Sequence, residues 1–410
     1  DTLRGVRQSA ISWTRDGGGF YYSREGGAAR AGHALWYHAA GTAQSQDRLV
    51  LAVPDEPGTL VRGRASDDGR WLFVTLHRGA DVRNRLLVAD LVDARRPNVA
   101  AVPRALFDSA NARHEPLGVV NGMLYLLTDR DAPRRRIVAV PVGVAPATRL
   151  TSIVPERAMP IEGAVLLRDR IVLHVLQDVR SRLFVVGLNG RAMGEIALPE
   201  GSSVEWMTGR QDGTVLHVAV TSPLQPSTVL RWDGSSVPAA LEGARLAFDP
   251  LPYETRQHFV VASDGARIPV FVTAPRRVAR DSSRHAWLTA YGAFGVTLRP
   301  AFANAIPAWL EAGGIWVSAH VRGGGEYGST WHRAGMREGK RRGIDDFVAV
   351  AEWLVAQGYT TRERLAIAGE GHGALLVSAA AQQRPELFGA VLPEGGVGDL
   401  LRFHRIGSGA

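Results

Sequence analysis

Residues 367–376, which read IAGEGHGALL, combine the end of an apolar strand, a glycine-dense turn and the start of a helix. A turn of the form G-x-S-x-G projects a nucleophilic serine from a sharp strand-to-helix bend. Here Gly369 and Gly373 occupy the outer positions, and Gly371 occupies the middle one. Glycine tolerates the strained backbone of such a bend but supplies no attacking oxygen. The sequence therefore predicts the bend of a nucleophile elbow without its nucleophile.

The same stretch also satisfies a second pattern. Residues 369–374, GEGHGA, match G-x-G-x-x-A, in which glycines let the backbone approach a pyrophosphate at a helix N-terminus. An acidic residue should follow about 20 residues later, and Glu394 lies near that position. Such a fingerprint normally opens its domain, whereas this turn follows at least four predicted strands. NAD-type dinucleotide binding at Gly369–Ala374 and a purely structural turn remain as alternatives.

The elements around the turn predict an α/β domain. Strands alternate with helices after the segment FDPLPYET, Phe248–Thr255. The stretch DDFVAVAEWLVAQGY predicts a helix with one apolar face, formed by Phe347, Val350, Ala351 and Leu354. The strand RLAIAG, the helix HGALLVSAAAQQ and the strand FGAVLPEGG follow it. This alternation is typical of a largely parallel sheet that is covered on both faces.

The first part of the chain is repetitive. Short apolar pieces lead into Asp-Gly or Asn-Gly turns, which join antiparallel strands, and a weaker copy lacks the glycine. These turns fall at Asp16, Asp68, Asn121, Asp169 and Asp212. Periods of roughly 40–50 residues, each with room for four short strands, favour about five propeller blades. A run of hairpins in a sandwich is the alternative.

Composition excludes several classes of protein. The 410 residues are 45% hydrophobic and 21% charged, as in a soluble globular protein of two or three domains, and no cysteine is present. The net charge of +8 comes from scattered arginines, since Lys340 is the only lysine. We therefore expect no nucleic-acid partner. No apolar run approaches the about 18 residues of a membrane span, and the histidines lack metal-ligand spacing. A protein without metal, cofactor or membrane contact is expected, in the cytoplasm or alternatively the periplasm.

Longer motifs resemble the prolyl oligopeptidase family of serine peptidases. AYGAFG (Ala290–Gly295) is similar to the end of a family strand, and VRGGGEYGSTWHRAG (Val321–Gly335) is similar to a family segment almost residue for residue. GVGDLLRFH (Gly396–His404) resembles the stretch after the elbow, and the repeats resemble the blades of the family propeller. The resemblance spans essentially the whole chain.

The family architecture is a seven-bladed propeller and an α/β-hydrolase domain. The resemblance implies a multidomain β plus α/β fold here, with about five blades in residues 1–250 and a hydrolase domain in residues 251–410. The family's acid and base lie well beyond the elbow, after further strands. We therefore expect an internal fragment that lacks the first blades and is truncated at Ala410.

The resemblance also assigns roles to individual residues. Gly371 stands at the position of the nucleophilic serine, and the main-chain N–H of His372 is one oxyanion-hole donor. Tyr291 matches the tyrosine whose hydroxyl is the second donor. Phe294 and Val397 match apolar positions around the pocket that accepts proline.

The resemblance implies a serine endopeptidase that cleaves short proline-containing peptides after proline and that is a monomer in its full-length form. Because Gly371 has no side chain and the acid and base lie beyond Ala410, the chain as written is expected to be inactive. A non-catalytic peptide-binding pseudo-peptidase is the alternative.

Overall fold

The computed structural model of the protein describes residues 2–25, 32–56, 58–147, 149–235, 237–241, 243–244 and 246–405. The expected truncation falls on residues 406–410, which lie outside the described residues. The chain divides into two compact units. The first comprises Asp1–Leu173, Phe184–Glu195 and Thr208–Leu216, and the second comprises His174–Leu183, Ile196–Met207 and His217–Ala410. This division separates parts of the same sheets, so the domain boundary at residue 250 stays a prediction.

The described residues up to Ala240 form five four-stranded sheets, in each of which neighbouring strands follow one another in sequence. The strands of the first sheet are β1 (Ser12–Trp13), β2 (Gly19–Glu25), β3 (His33–Ala39) and β4 (Arg48–Ala52). Those of the second are β5 (Thr59–Ala65), β6 (Trp71–Arg78), β7 (Arg85–Asp90) and β8 (Arg104–Phe107). Those of the third are β9 (His114–Val120), β10 (Met123–Thr128), β11 (Arg136–Pro141) and β12 (Thr151–Val154).

The fourth and fifth sheets repeat this order. The strands of the fourth are β13 (Ile161–Leu166), β14 (Arg170–Gln177), β15 (Arg180–Gly187) and β16 (Ala192–Ile196). Those of the fifth are β17 (Ser203–Gly209), β18 (Leu216–Ser222), β19 (Gln225–Trp232) and β20 (Ala239–Ala240). These five four-stranded units in chain order confirm the prediction of propeller-like blades and disagree with the alternative of hairpins in a sandwich.

The five predicted turns all occupy the same place in their sheets. Each joins the first strand of a sheet to the second, from Asp16 between β1 and β2 to Asp212 between β17 and β18. The backbone conformation explains the residue types, because Gly17, Gly69 and Asn121 have φ angles of 71°, 75° and 51°. Glycine and asparagine adopt this left-handed region at the lowest cost.

The rest of the described chain contains a six-stranded sheet. Its strands are β21 (Tyr253–Val261), β22 (Arg267–Pro275), β23 (Ala286–Thr289), β24 (Ile315–Ala319), β25 (Leu365–Glu370) and β26 (Ala390–Glu394). Their order across the sheet is β21-β22-β24-β23-β25-β26. The first two strands form an antiparallel hairpin, and β24, β23, β25 and β26 run parallel to one another. The largely parallel sheet is therefore confirmed.

Four α-helices accompany this sheet in the described residues: α1 (Ala305–Glu311), α2 (Ser329–Ala334), α3 (Lys340–Ala356) and α4 (His372–Gln383). The predicted apolar face of α3 is buried and belongs to the core of the sheet. Helix α3 begins at Lys340, five residues before the stretch that predicts it. Gly343 lies in this additional turn. A Cβ there would lie only 2.7 Å from the main-chain oxygen of Arg322, so the lack of a side chain allows the turn to pack against that residue.

Candidate active site

The elbow is built at the junction of β25 and α4. Strand β25 ends at Glu370, Gly371 has φ 56° and ψ −115°, and α4 begins at His372. The main-chain N–H of Gly371 donates a hydrogen bond to the oxygen of Glu394 in β26, at 2.9 Å. A side chain in this backbone conformation is strained, which is the geometry of a nucleophile elbow. A Cβ added to Gly371 would meet no atom within 4 Å, so the side-chain position opens into free space.

The outer glycines of the motif serve close packing. A Cβ on Gly369 would lie 2.2 Å from the main-chain oxygen of Gly373, and one on Gly373 would lie 2.8 Å from that of Ala290. Neither position can hold a larger residue without a backbone shift. The two outer glycines thus let α4 start directly against the ends of β25 and β23, whereas Gly371 faces no such limit.

His372 connects the elbow to the end of β23. Its Nδ1 lies 2.9 Å from the main-chain oxygen of Tyr291. Because a carbonyl can only accept, Nδ1 carries the proton of the neutral ring. Burial lowers the pKa of His372, and the nearby charge of Lys340 lowers it further. The ring is therefore neutral near pH 7, and its main-chain N–H, at the first position of α4, has no acceptor within the helix.

Two aromatic rings flank His372. The ring of Tyr291 lies 5.8 Å from it and the ring of Phe294 lies 5.9 Å from it, both edge to face. Tyr291 is half-buried, and its hydroxyl has no hydrogen-bond partner among the residues that the structure describes. The O–H of Tyr291 and the main-chain N–H of His372 are donors of the kind that stabilise negative charge on a carbonyl oxygen.

Phe294 sits in an unusual turn. Gly292, Phe294 and Gly295 have φ angles of 62°, 55° and 63°, and the N–H of Val296 donates to the oxygen of Ala293 at 3.0 Å. A positive φ is costly for an aromatic residue. Despite this, the ring of Phe294 is 49% exposed. A strained backbone that presents an apolar ring to solvent is typical of a binding site.

The segment VRGGGEYG forms main-chain hydrogen bonds with this turn. The N–H of Gly295 donates to the oxygen of Gly323, and the N–H of Gly325 donates to that of Val296, both at 3.1 Å. A Cβ on Gly323 would lie 2.2 Å from the oxygen of Gly292. The glycines of this motif therefore allow two backbone segments to lie directly against each other.

Arg322 fixes the start of the same segment. Its main-chain N–H, Nε and Nη2 donate to the buried carboxylate of Asp346 in α3, at 2.6 to 3.2 Å. Nη1 and Nη2 also donate to Asp264 in the β21–β22 turn, at 2.5 and 3.1 Å. Hydrogen bonds from Arg322 lower the pKa of Asp264, and those to Asp346 raise the pKa of Arg322. The guanidinium thus joins three segments in a charged state.

Comparison with known proteins decides the family. A family profile described as "Prolyl oligopeptidase, N-terminal beta-propeller domain" matches residues 1–237, which is more than half of the chain. A second profile, described as "Prolyl oligopeptidase family", matches residues 300–408. The chain belongs to the prolyl oligopeptidase family.

Curated relatives from this family align over the whole chain. The prolyl endopeptidase of Elizabethkingia meningoseptica is 29% identical over 422 residues. The dual function macrocyclase-peptidase POPB of Galerina marginata is 27% identical over 429 residues. Both alignments cover 100% of this chain and 58% of the relative. The chain therefore spans less than two thirds of the length of these prolyl oligopeptidase relatives.

Solved structures of prolyl oligopeptidases have the same fold. One from a study of two prolyl endopeptidases has a TM-score of 0.92 at 32% identity and covers 100% of this chain and 60% of its own. Prolyl oligopeptidase B from Galerina marginata, bound to a 35mer hydrolysis and macrocyclization substrate, has a TM-score of 0.91 at 26% identity. That alignment covers 98% of this chain and 58% of the other. The propeller-like sheets and the α/β sheet are thus those of the prolyl oligopeptidase fold.

Val397 is the least closely connected of the predicted site residues. It follows Gly396, where a Cβ would lie 2.6 Å from the Cβ of Ala374 and 3.4 Å from the oxygen of Gly371. This places the segment beside the elbow, and the side chain of Val397 is partly exposed. The structure brings Gly371, His372, Tyr291 and Phe294 together, with Val397 next to a residue that packs on the elbow. Their roles in a prolyl oligopeptidase site stay predictions.

Lys340 is a further residue of the site that motif spacing does not reveal. It is the first residue of α3, and its Nζ donates a hydrogen bond to the main-chain oxygen of Gly292, at 3.3 Å. Burial lowers the pKa of its ammonium group to about 8. A cation at the start of a helix is disfavoured by the helix dipole, so the position of Lys340 at the start of α3 is unusual.

Two kinds of feature are absent from the described ranges. No group of three or more histidine, aspartate or glutamate side chains there has the arrangement of a metal site. No helix within those ranges has the length and apolarity that crossing a membrane would require.

Proposed function

We propose that the chain carries the peptide-binding and oxyanion-stabilising part of a prolyl oligopeptidase-type endopeptidase site, with Gly371 at the position of the nucleophile. The elbow at Gly371 carries this proposal, because its backbone has the strained conformation of a nucleophile turn and open space where a side chain would project. Without a hydroxyl no acyl-enzyme can form at this position. The chain as written is therefore proposed to bind peptides without cleaving them.

The chemistry of the active counterpart follows from the neighbouring groups. A serine oxygen at position 371 would attack the carbonyl carbon of the peptide bond that follows proline. Its proton would pass to the family's general base, and the carbonyl oxygen would become negative. The N–H of His372 and the hydroxyl of Tyr291 would donate hydrogen bonds to that oxygen. In comparable sites one such donor lowers the barrier by about 3–4 kcal/mol. The exposed ring of Phe294 and the side chain of Val397 would contact the proline ring, which is compact and uncharged.

Peptides are the proposed partners. A relative in the family is described as bound to a 35mer hydrolysis and macrocyclization substrate, and others are named prolyl endopeptidases. For this chain we propose short proline-containing peptides, bound by a monomer in the full-length protein. We also propose that propeller blades occupy residues 1–250 and the hydrolase domain residues 251–410, since β20 ends at Ala240 and β21 begins at Tyr253.

Restoring the hydroxyl tests the proposal. In the protein expressed from its complete gene, Gly371→Ser should hydrolyse an N-blocked Gly-Pro anilide, and Gly371→Ala should not. The alanine variant is the matched control, because it carries the same Cβ without the oxygen. Calorimetry with an N-blocked Gly-Pro acid measures binding separately from turnover. The proposal would be overturned if neither turnover nor binding were observed.

The non-catalytic pseudo-peptidase is the second candidate, and the glycine at position 371 favours it. Peptide binding without any turnover in Gly371→Ser would support it. The dinucleotide alternative has less support, because close packing against Gly373 explains Gly369, the first glycine of that pattern. Saturable binding in an NAD titration would support it again.

A further inference from the structure

Lys340 has an unusual environment for a lysine. It is the only lysine in the sequence, and its side chain turns inward from the start of α3 to the main-chain oxygen of Gly292. Gly292 lies between Tyr291 and the turn that carries Phe294. The ammonium group thus contacts the backbone of the segment that forms one side of the candidate site.

The local structure around Lys340 does not explain its charge. The first turn of α3 contains no acidic residue, and a cation there opposes the helix dipole. The next residue, Arg341, has a different environment. Its side chain is 78% exposed, and its guanidinium lies 3.7 Å from the carboxylate of Asp345, one helical turn later. No carboxylate of the described residues forms an ion pair with Lys340, and burial lowers its pKa to about 8. Helix stability alone would favour a neutral residue at position 340.

The turn that Lys340 contacts needs external support. Gly292, Phe294 and Gly295 all have positive φ, and for Phe294 this conformation is costly. The N–H groups of Gly295 and Val296 are held by hydrogen bonds, but those bonds lie beyond Gly292 in the chain. The hydrogen bond that Lys340 donates to the oxygen of Gly292 fixes the orientation of the peptide group between Gly292 and Ala293.

We propose that Lys340 is a positioning residue, whose ammonium holds the carbonyl of Gly292 and so keeps Tyr291 and Phe294 directed toward the elbow. The consequence for peptide binding rests on the proposed function, whereas the effect on the turn does not. The charge of Lys340 is also felt at the elbow, since it contributes to the lowered pKa of His372.

Hydrogen exchange tests the positioning without any ligand. In Lys340→Met, the amides of residues 291–296 should exchange at least about tenfold faster, the loss expected for one hydrogen bond from a charged donor. Arg341→Met removes a charge from the same helix turn and should leave these amides unchanged. The melting temperature of Lys340→Met should not fall, because the substitution removes a partly buried cation. Unchanged exchange in Lys340→Met would overturn the inference.

The single lysine also permits a test on the unsubstituted chain, which answers the question even if Lys340→Met does not fold. Reductive methylation with ¹³C-formaldehyde keeps the charge and one N–H, and it gives one lysine signal apart from that of the α-amine. This signal should titrate well below the range of a free dimethyl-lysine and should shift when the turn is altered by Phe294→Gly. A signal that titrates like an exposed amine and ignores Phe294→Gly would overturn the inference.

Peptide affinity separates this inference from the proposed function. The N-blocked Gly-Pro acid should bind Lys340→Met at least about tenfold more weakly than it binds the unsubstituted chain or Arg341→Met. Faster exchange in Lys340→Met, together with no peptide binding by the unsubstituted chain, would support the positioning and overturn the proposed function. Equal peptide affinity in Lys340→Met would show that Lys340 does not position the binding residues.

Discussion

Nδ1 of His372 donates a hydrogen bond to the main-chain oxygen of Tyr291, at 2.9 Å. This bond joins the first residue of α4 to the second residue after β23. It fixes the ring of His372 between those of Tyr291 and Phe294. This contact occupies Nδ1 of the neutral imidazole, and we propose that the main-chain N–H of His372 and the hydroxyl of Tyr291 are the two donors of the site.

Replacing Gly371 with alanine or with serine should lower the free energy of unfolding slightly and by about the same amount. A Cβ meets no neighbour there, so only the positive φ opposes it, at about 1–3 kcal/mol. Urea unfolding of Gly371→Ala and Gly371→Ser should give free energies of unfolding within about 0.5 kcal/mol of each other. A large difference between the two variants would mean that the hydroxyl contacts a group that the open space does not suggest.

Phe294→Gly should be more stable than Phe294→Ala, in contrast to the usual order of these residues in regular structure. The φ of 55° is free of strain only for glycine, and the expected difference is about 1 kcal/mol. Both variants should lose peptide affinity, because both lose the exposed ring. Thermal unfolding and calorimetry measure the two effects. If alanine proved the more stable, the turn would not be strained at this residue.

Breaking the pair of Arg322 and Asp346 should be strongly destabilising. Arg322→Met leaves the buried carboxylate of Asp346 without its partner, which costs about 3–5 kcal/mol. The double variant Arg322→Met/Asp346→Leu should lose less than the sum of the single substitutions. Asp264→Asn is the control, since this partner is 45% exposed and should cost below about 1 kcal/mol. Additive losses in urea unfolding would contradict a coupled pair.

Lys340 should make stability rise with pH above about 8. Its pKa in the folded chain, about 8, lies below the ordinary value of 10.5, so between these values the folded state binds fewer protons than the unfolded state. Burial of the charged ammonium therefore lowers the free energy of unfolding by its full amount below pH 8, and this loss disappears as pH rises toward 10.5. Because the side chain is partly exposed, the gain should be on the order of 1 kcal/mol. The difference between the unsubstituted chain and Lys340→Met, measured from pH 7 to 10, should contain this rise.

His114 should contribute to unfolding in acid. Burial lowers its pKa to about 4, and its ring is stacked on Phe107 at 4.0 Å. Since the unfolded state takes up a proton near pH 6.5 and the folded state near 4, stability falls as pH drops between these values. The loss should approach about 3 kcal/mol. His114→Gln should flatten this part of the profile, whereas His285→Gln, at an exposed position, should not change it.

Much of the fold could be predicted because its signals are local. Gly17, Gly69 and Asn121 have positive φ in their predicted turns, and α4 begins at His372, as the sequence predicts. The apolar face of α3 and the parallel strands follow from periodicity. The grouping of Tyr291, Phe294 and His372 was implied by the long motifs, which describe the ends of strands that meet at one edge of a parallel sheet.

The charged interior could not be predicted in the same way. Arg322 and Asp264 are 58 residues apart in sequence, and nothing in either segment shows that they meet. Lys340 is followed by two arginines, so that the run K-R-R resembles a solvated helix start. Lys340 is the cation that contacts Gly292, and this contact exists only because the folded chain brings the turn at Gly292 close to the start of α3. Local sequence patterns do not contain that information.

The free space beside Gly371 has a genetic consequence. Codons for glycine and serine can differ by one nucleotide, and no neighbouring side chain would have to change to admit a hydroxymethyl group. A single base substitution is therefore enough to give or remove the oxygen at this position. Reactivity could be gained or lost in one step in a lineage, while the surrounding architecture is inherited unchanged.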